Sequence, residues 1–195
     1  NFKSNNRYKF IHGNICDKSL VENIFNKYNV DGVINFAAES HVDNSIINPQ
    51  VFIESNVNGV FNLLNTCVKF WLKSPFQYKS EFINARFHQI STDEVYGSIK
   101  NGQFKETDKY NPSSPYSASK ASADMLVRSY NTTYGLNTTT SISSNNYGVN
   151  QNIEKFIPKT INSLLNDTPI IVYGDGMNVR DWINVYNNCE AIEKV

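Results

Sequence analysis

Three neighbouring stretches, GVIN at residues 32–35, PQVFIESNVNGVFNLLNTCVKFW at 49–71 and FHQIS at 87–91, decide the fold. A short apolar run, a long segment of helical period and a second short run follow one another. This order is typical of parallel strands joined by a helix, so the sequence predicts an α/β chain. The helical segment is expected to bury one stripe of side chains, namely Phe52, Val57, Val60, Phe61, Leu64 and Val68.

The same alternation continues on both sides of this unit. Further strands are predicted at 8–12, 138–142 and 170–173. Further helices are predicted from Leu20 to Tyr28 after Asp17 as N-cap, at 116–134 with Gly135 just beyond, at 156–166 and at the end of the chain. Residues 97–115 carry the turn pairs Asn101-Gly102, Asn111-Pro112 and Ser114-Pro115, which indicates a long ordered loop of the kind that shapes functional sites.

A glycine-rich turn between the first strand and helix, the usual opening of a dinucleotide-binding sheet, is not found in this sequence. Its one G-x-G, Gly174-Asp175-Gly176, follows a late predicted strand and lacks a third glycine. We therefore expect a doubly wound parallel sheet without its first strand, glycine loop and helix. Because a helical pattern runs to Val195, we expect the chain to stop within a domain as well.

Composition argues against several classes of protein. The 195 residues suit one domain or a large part of one, and Lys plus Arg equals Asp plus Glu at 18 each, which disfavours nucleic acid and membrane surfaces as partners. No apolar run approaches a membrane span, and the first ten residues do not resemble a signal peptide. Three scattered cysteines and three scattered histidines predict a reducing, cytoplasmic location and no metal site.

Tyr116-Ser-Ala-Ser-Lys120 is the strongest chemical signal, because it places a phenol and an ammonium one helical turn apart on the same face. A nearby cation favours tyrosinate, so we expect Lys120 to lower the pKa of Tyr116 and let it act as a base. The plainer alternative is a chance spacing on an exposed helix.

Two further runs follow predicted strands, where ligands of open parallel sheets bind. Ser91-Thr-Asp-Glu-Val-Tyr-Gly97 offers two adjacent carboxyls that could divide into an acid and a base, although helix-capping acids in a solvated turn remain an alternative. Asn35-Phe-Ala-Ala-Glu-Ser-His-Val-Asp43 offers small alanines that would let a flat cofactor approach closely.

Together these runs resemble the extended short-chain dehydrogenase/reductase superfamily and, in detail, nucleotide-sugar 4,6-dehydratases. The matching motifs are AAESHVDNSI at 37–46, STDEVYG at 91–97, SPYSASKAS at 114–122, SNNYG at 144–148 and VRDWINV at 179–185. The pair Asp93-Glu94 points to dehydratases, because related epimerases and decarboxylases usually lack it. The resemblance implies a Rossmann-like, NAD-binding domain over residues 1–150 and the start of a substrate lobe over 151–195, with most of that lobe missing.

The resemblance also implies a reaction. Tyr116 would take the proton of the sugar 4-hydroxyl while hydride leaves C4 for NAD⁺, with Thr92 bonded to that hydroxyl and Lys120 holding the nicotinamide ribose. Glu94 would then remove the C5 proton while Asp93 protonates the departing 6-hydroxyl, and hydride would return to C6. The expected product is a 4-keto-6-deoxy sugar nucleotide, made from dTDP-glucose or UDP-glucose on the way to deoxysugars such as rhamnose.

Binding residues are implied by the same resemblance. Besides Tyr116 and Lys120, those expected at the cofactor are Asn14, Ile15, Phe36, Ala37, Ala38, Glu39, Ser40, Ser55 and Asn146. Those expected at the substrate are Ser40, Thr92, Asn145, Lys155, Phe156, Ile171, Tyr173 and Arg180. The sequence departs from the family at Asn14, usually an aspartate, at Asn44, usually an arginine, and at Val149, usually a proline.

Members of this family commonly form homodimers through two helices of each subunit, here 49–71 and 116–134. Two other interpretations remain open: a nucleotide-sugar 4-epimerase or decarboxylase of the same superfamily, and a non-catalytic fragment.

Overall fold

The structure is a computed structural model that describes residues 5–195, in which helices alternate with short strands. The helices are α1 (Lys18–Tyr28), α2 (Val42–Ile47), α3 (Pro49–Phe52), α4 (Gly59–Trp71), α5 (Pro115–Tyr134), α6 (Phe156–Leu165) and α7 (Val185–Lys194). The strands are β1 (Gly32–Asn35), β2 (Leu72–Ser74), β3 (Gln77–Tyr78), β4 (Arg86–Thr92), β5 (Thr138–Ser143), β6 (Asn145–Tyr147) and β7 (Trp182–Asn184).

The central sheet has the order β1-β4-β5. β1 and β4 are parallel, with Gly32 opposite Arg86 and Asn35 opposite Gln89. α2 to α4 lie between β1 and β4 along the chain, and α5 lies between β4 and β5. The α/β prediction from strand–helix–strand order is therefore confirmed, and the carboxyl ends of β1 and β4 lie at one edge of the sheet.

Two helices begin and end where their capping residues predict. The carboxylate of Asp17 accepts the Leu20 N–H at 3.0 Å at the start of α1. Ser114 and Ser117 exchange side-chain and backbone hydrogen bonds in a capping box at the start of α5. Gly135 ends α5 in the left-handed region, with φ 69°, which a residue with a side chain rarely adopts.

The long helix predicted at 49–71 forms, but a π-helical segment, Ile53–Asn58, separates α3 from α4. A π turn holds one residue more than an α turn, so the residues after it are rotated by about 100° relative to an unbroken helix. This rotation brings Phe52 and Val60 to the same buried side of the segment. Within α4 the buried stripe runs through Val60, Leu63 and Leu64, and Phe61 lies beside it and is 47% exposed. Predicting Phe61 as a core residue was wrong.

The hydrophobic core gathers α1, α4, α5 and the central strands. Fully buried residues include Leu64, Trp71, Phe87 and Leu136. Trp71 also donates its indole N–H to the carbonyl oxygen of Val30 at 2.7 Å, so its one polar atom is satisfied. This core fixes α5 against β4, and α5 carries Tyr116 and Lys120.

Two predicted strands are not observed, and those predictions were wrong. Residues 8–12 and 170–173 have no regular secondary structure and pair with no strand among residues 5–195. Their apolar residues suit a strand, but a strand exists only when a neighbour satisfies its backbone hydrogen bonds. Composition alone could not supply that neighbour.

The chain divides into two compact units, one ending at Thr140 and the other covering Ser141–Val195. In the second unit, β6 and β7 pair in parallel, with Asn146 opposite Ile183. The functional division predicted at residue 150 stays a prediction. None of the helices in the described part of the chain is long and apolar enough to cross a membrane.

Candidate active site

The carboxyl end of β4 runs directly into a single 3₁₀ turn, Asp93–Tyr96. Thr92 caps this turn by accepting the Glu94 N–H on its hydroxyl at 3.4 Å. Gly97 then takes φ 82°, and a Cβ there would lie only 2.3 Å from the carbonyl oxygen of Asn111. The last position of STDEVYG therefore needs glycine, because the returning loop passes too close for a side chain.

Tyr116 lies in the first turn of α5, beside the 3₁₀ turn. It hydrogen-bonds with Thr92, and the carboxylates of Asp93 and Glu94 are close enough to act on its phenol electrostatically. The ring of the buried Phe52 meets that of Tyr116 edge-on, with centroids 6.3 Å apart. The structure thus brings together three elements of the sequence that lie far apart along the chain.

The expectation that Lys120 lowers the pKa of Tyr116 was wrong for this structure. Burial, followed by the negative charges of Glu94, Asp93 and Asp124, raises the pKa of Tyr116 to about 12, and the bond with Thr92 only partly opposes this. The phenol therefore keeps its proton at neutral pH. Its use as a base requires additional positive charge at the site.

Lys120 is 5% exposed and its ammonium donates to the carbonyl oxygen of Ile90 at 2.6 Å. Burial lowers its pKa, and the carboxylate of Asp124 opposes that effect. One N–H of the ammonium is used by β4, which leaves further donors on the same group for a ligand. Lys120 is thus fixed to the strand end that leads into Thr92.

The carboxyl end of β1 presents the predicted cofactor segment, residues 36–40, in an open strip. Phe36 is 62% exposed, and Ala37, Glu39 and Ser40 are also exposed. The buried Asn35 accepts the Ala37 N–H at 3.2 Å and donates to Gln89 at 3.0 Å, which ties the strip to β4. Small and flat side chains here leave room for a planar ligand.

Asn56 is a residue of this site that the sequence analysis missed. Its side chain accepts the Glu39 N–H at 2.8 Å and donates to the Glu39 carbonyl oxygen at 3.0 Å and to Ser119 at 2.8 Å. Ser119 in turn donates to the carbonyl oxygen of Tyr116 at 2.7 Å. One buried amide in the π segment therefore connects the strip after β1 to the start of α5.

The remaining predicted cofactor residues of the first unit take varied positions. The Asn14 side-chain oxygen accepts the Cys16 N–H at 2.9 Å, so this oxygen already has one local partner. Ile15 packs against the core and its carbonyl oxygen accepts from Asn62 at 2.7 Å. Ser55 lies half-buried in the π segment, next to Asn56.

The second unit holds the other predicted binding residues. Asn145, in β6, pairs with Trp182, and Trp182 packs its ring 6.2 Å from that of Phe156. Asn146 buries a side-chain oxygen that has no hydrogen-bond partner among the described residues. The other four are in two groups: Lys155 precedes α6 beside Glu154, and Ile171, Tyr173 and Arg180 lie on an exposed segment without regular structure.

Within the first unit, the structure therefore gathers Thr92, Asp93, Glu94, Tyr116 and Lys120 at one sheet edge. These groups can offer a hydroxyl donor, two carboxyls, a phenol and an ammonium to one small molecule. Such a set suits proton transfer at neighbouring carbons of a polar substrate. In the described part of the chain, no group of three or more His, Cys, Asp and Glu side chains could hold a metal ion.

Comparison with known proteins finds a matching family model and several similar enzymes. A family model described as GDP-mannose 4,6 dehydratase matches residues 1–195. The dTDP-glucose 4,6-dehydratase of Neisseria meningitidis serogroup B is 47% identical over 193 residues, covering 98% of this chain and 54% of that protein. The chain thus spans about half the length of the curated relatives it matches.

Solved structures of dehydratases and epimerases are similar to this chain in fold. The dTDP-glucose 4,6-dehydratase DesIV of Streptomyces venezuelae, with NAD bound, has a TM-score of 0.87 at 40% identity and covers 97% of this chain and 54% of that one. The UDP-glucose 4-epimerase of Thermotoga maritima has a TM-score of 0.83 at 26% identity, over 96% of this chain and 58% of that one. These matches confirm the Rossmann-like fold predicted from the sequence.

Proposed function

Because this chain belongs to the GDP-mannose 4,6-dehydratase family, we propose that the full-length protein dehydrates a nucleoside-diphosphate glucose to its 4-keto-6-deoxy form with bound NAD. The relatives at 43–48% identity are named dTDP-glucose 4,6-dehydratases, which makes dTDP-glucose the first substrate to test and UDP-glucose the second.

The observation that carries this proposal is the position of Asp93 and Glu94 beside the phenol of Tyr116. Oxidation at C4 requires one group that removes a hydroxyl proton, and elimination of water across C5–C6 requires a base and an acid. Tyr116 would serve the first step, Glu94 the C5 proton and Asp93 the leaving hydroxyl. A 4-epimerase needs no such acidic pair, so the pair favours dehydration.

The proposed cofactor residues fit NAD. The open strip 36–40 is flat and small, and the Lys120 ammonium keeps donors for a ribose hydroxyl after bonding Ile90. When bound, NAD⁺ would supply a hydride acceptor and a positive charge. Additional positive charge is what the phenol of Tyr116 requires to lose its proton and act as a base, since burial and then the surrounding carboxylates raise its pKa.

The test is to incubate the full-length protein separately with dTDP-glucose and UDP-glucose and to follow a 4-keto-6-deoxy product by chromatography and mass. We expect product from at least one donor, reduced about a hundredfold or more in Tyr116→Phe. Tyr134→Phe is the matched control, because Tyr134 lies at the far end of the same helix. Absence of product from both donors would overturn the proposal.

Two further variants separate dehydration from epimerisation. Glu94→Gln and Asp93→Asn should each abolish elimination, and the Glu94→Gln variant should still exchange a hydride with NAD. Turnover that survives the loss of Asp93 would instead support the 4-epimerase alternative.

We also propose that the full-length protein is a cytoplasmic homodimer. The helical segments expected at the interface expose apolar side chains in this structure, among them Phe61 on α4 and Met125 on α5. Sedimentation of the full-length protein would reveal a monomer if this part of the proposal is wrong.

A further inference from the structure

Asp124 lies one helical turn beyond Lys120 on α5 and has no part in the reaction described above. It is 5% exposed. One carboxylate oxygen accepts two hydroxyl donors, Ser91 at 2.5 Å and Tyr110 at 3.2 Å, while the other oxygen is buried without a hydrogen-bond partner among the described residues. Burying a carboxylate in this way is costly unless a nearby positive charge compensates it.

Tyr110 brings the long loop into this cluster. The loop occupies residues 97–114, between Tyr96 and the start of α5. The Tyr110 ring meets that of Tyr96 edge-on with centroids 5.2 Å apart, and the Phe104 ring stacks on that of Tyr96 with centroids 5.1 Å apart. Since Tyr110 lies four residues before Ser114, the N-cap of α5, its bond to Asp124 fixes the approach of the chain to Tyr116.

The electrostatic surroundings of Asp124 agree with this geometry. Burial raises its pKa to about 6, whereas the hydrogen bonds from Ser91 and Tyr110 and the charge of Lys120 lower it. In the other direction, the charge of Asp124 opposes the burial that lowers the pKa of Lys120, and it contributes to the raised pKa of Tyr116. Ser91 belongs to β4, Tyr110 to the loop, and Lys120 and Tyr116 to α5.

Resting on the function proposed above, we propose that Asp124 is a positioning residue: its buried carboxylate supplies the negative charge one helical turn from Lys120 and, through Tyr110, holds the loop 97–114 against α5. It does not touch the reacting atoms. It acts through Lys120, which contacts the ligand, and through the loop that leads into Tyr116.

The two halves of the proposal can be separated in the full-length protein without nucleotide sugar. Asp124→Asn keeps an oxygen for Ser91 and Tyr110 but removes the charge, whereas Tyr110→Phe removes the loop bond and keeps the charge. The titration of Lys120 is followed by NMR with lysine labelled at Cε, its signal assigned by its loss in Lys120→Arg. Hydrogen exchange of residues 97–114 reports the loop.

We expect the Lys120 titration midpoint to move to lower pH in Asp124→Asn and to stay in place in Tyr110→Phe. Exchange in the loop should quicken in Tyr110→Phe. In turnover, Asp124→Asn should lower kcat on the order of tenfold and shift the alkaline limit of activity to lower pH, because Lys120 loses its charge earlier as pH rises. A purely structural role would not move that limit.

An unchanged Lys120 midpoint in folded Asp124→Asn overturns the first half, and unchanged loop exchange in Tyr110→Phe overturns the second. If Asp124→Asn does not fold, Asp124→Glu takes its place as the test of charge: a folded, active Glu variant supports the proposal and an inactive one with intact folding overturns it. Product formation by the unaltered protein tests the dehydratase function separately, since neither the titration nor the exchange uses substrate.

Discussion

The carboxyl end of β4 is surrounded by buried polar side chains, whereas the carboxyl end of β1 is open. At β4, Ser91, Lys120 and Asp124 are each about 5% exposed and hydrogen-bonded in place. At β1, Phe36 and Ala37 face solvent, and the strip is held from behind by Asn56. The difference indicates that the polar groups supporting the proposed proton-transfer residues are fixed before any ligand binds, while the proposed cofactor strip leaves its surface open for the ligand.

If burial determines the pKa of Asp124 at the carboxyl end of β4, the stability of the protein must depend on pH in one direction. The pKa of Asp124 is about 6 in the folded chain and near 3.8 unfolded, so the folded state holds the proton more tightly. Protonated Asp124 therefore stabilises the folded state below about pH 4, and this stabilisation is lost as pH rises to about 6. The change in the free energy of unfolding is about 3 kcal/mol. Asp124→Asn should lack it.

Urea unfolding of the unaltered protein and of Asp124→Asn at a series of pH values measures this effect, because subtracting one from the other cancels the titration of other groups. We expect the Asn variant to gain relative stability as pH rises from about 4 to about 6. A difference that stays flat over that range would show that Asp124 is not desolvated in the folded protein.

The strip after β1 should depend on Asn56. Asn56→Ala removes both bonds to the Glu39 backbone and the bond to Ser119, and we expect the free energy of unfolding to fall by about 2 kcal/mol. Affinity for NAD, measured by calorimetry, should fall as well. Asn58→Ala is the control, since Asn58 is exposed in the same π segment and its loss should change stability by less than about 0.5 kcal/mol. Equal effects of the two variants would contradict the role given to Asn56.

The smallest effect on stability is expected at the open strip itself. Ala37→Leu adds bulk to an exposed residue, so the free energy of unfolding should change by less than about 0.5 kcal/mol. NAD binding should nevertheless weaken by about tenfold or more, because the added side chain occupies the space of a planar ligand. Ala191→Leu, at an exposed position of α7, is the control and should leave both quantities unchanged. Unaltered affinity in Ala37→Leu would remove residues 36–40 from the proposed cofactor site.

Much of the fold could be predicted because the signals that define these helices and strands lie within short stretches of sequence. α1 and α5 carry their own capping residues, and β1 and β4 are short apolar runs on either side of a long helical segment. The strands predicted at 8–12 and 170–173 failed because pairing depends on a distant segment, which composition does not reveal. Phe61 was misplaced because hydrophobic period does not show which side of an apolar stripe faces the core; α4 buries Val60, Leu63 and Leu64 instead.

The site was predictable to a similar extent. Tyr116, Lys120 and the pair Asp93-Glu94 form contiguous motifs, and the structure brings them together. The pKa of Tyr116 was predicted in the wrong direction, since spacing shows the neighbouring cation but not the burial or the carboxylates that outweigh it. Asn56 and Asp124 were missed. The available signal for Asp124 was its i,i+4 spacing from Lys120. The available signal for Asn56 was an amide side chain within an otherwise apolar stripe of the predicted helix.

The π segment at Ile53–Asn58 also affects how this sequence should be aligned with others. Because the segment accommodates one additional residue while Phe52 and Val60 still face the same side, a relative with an unbroken α-helix would match both flanks with one residue fewer. The correct alignment would then carry a single gap within residues 53–58. An ungapped alignment would put every position on one flank out of register by one residue, and would pair Asn56 with a side chain that points elsewhere.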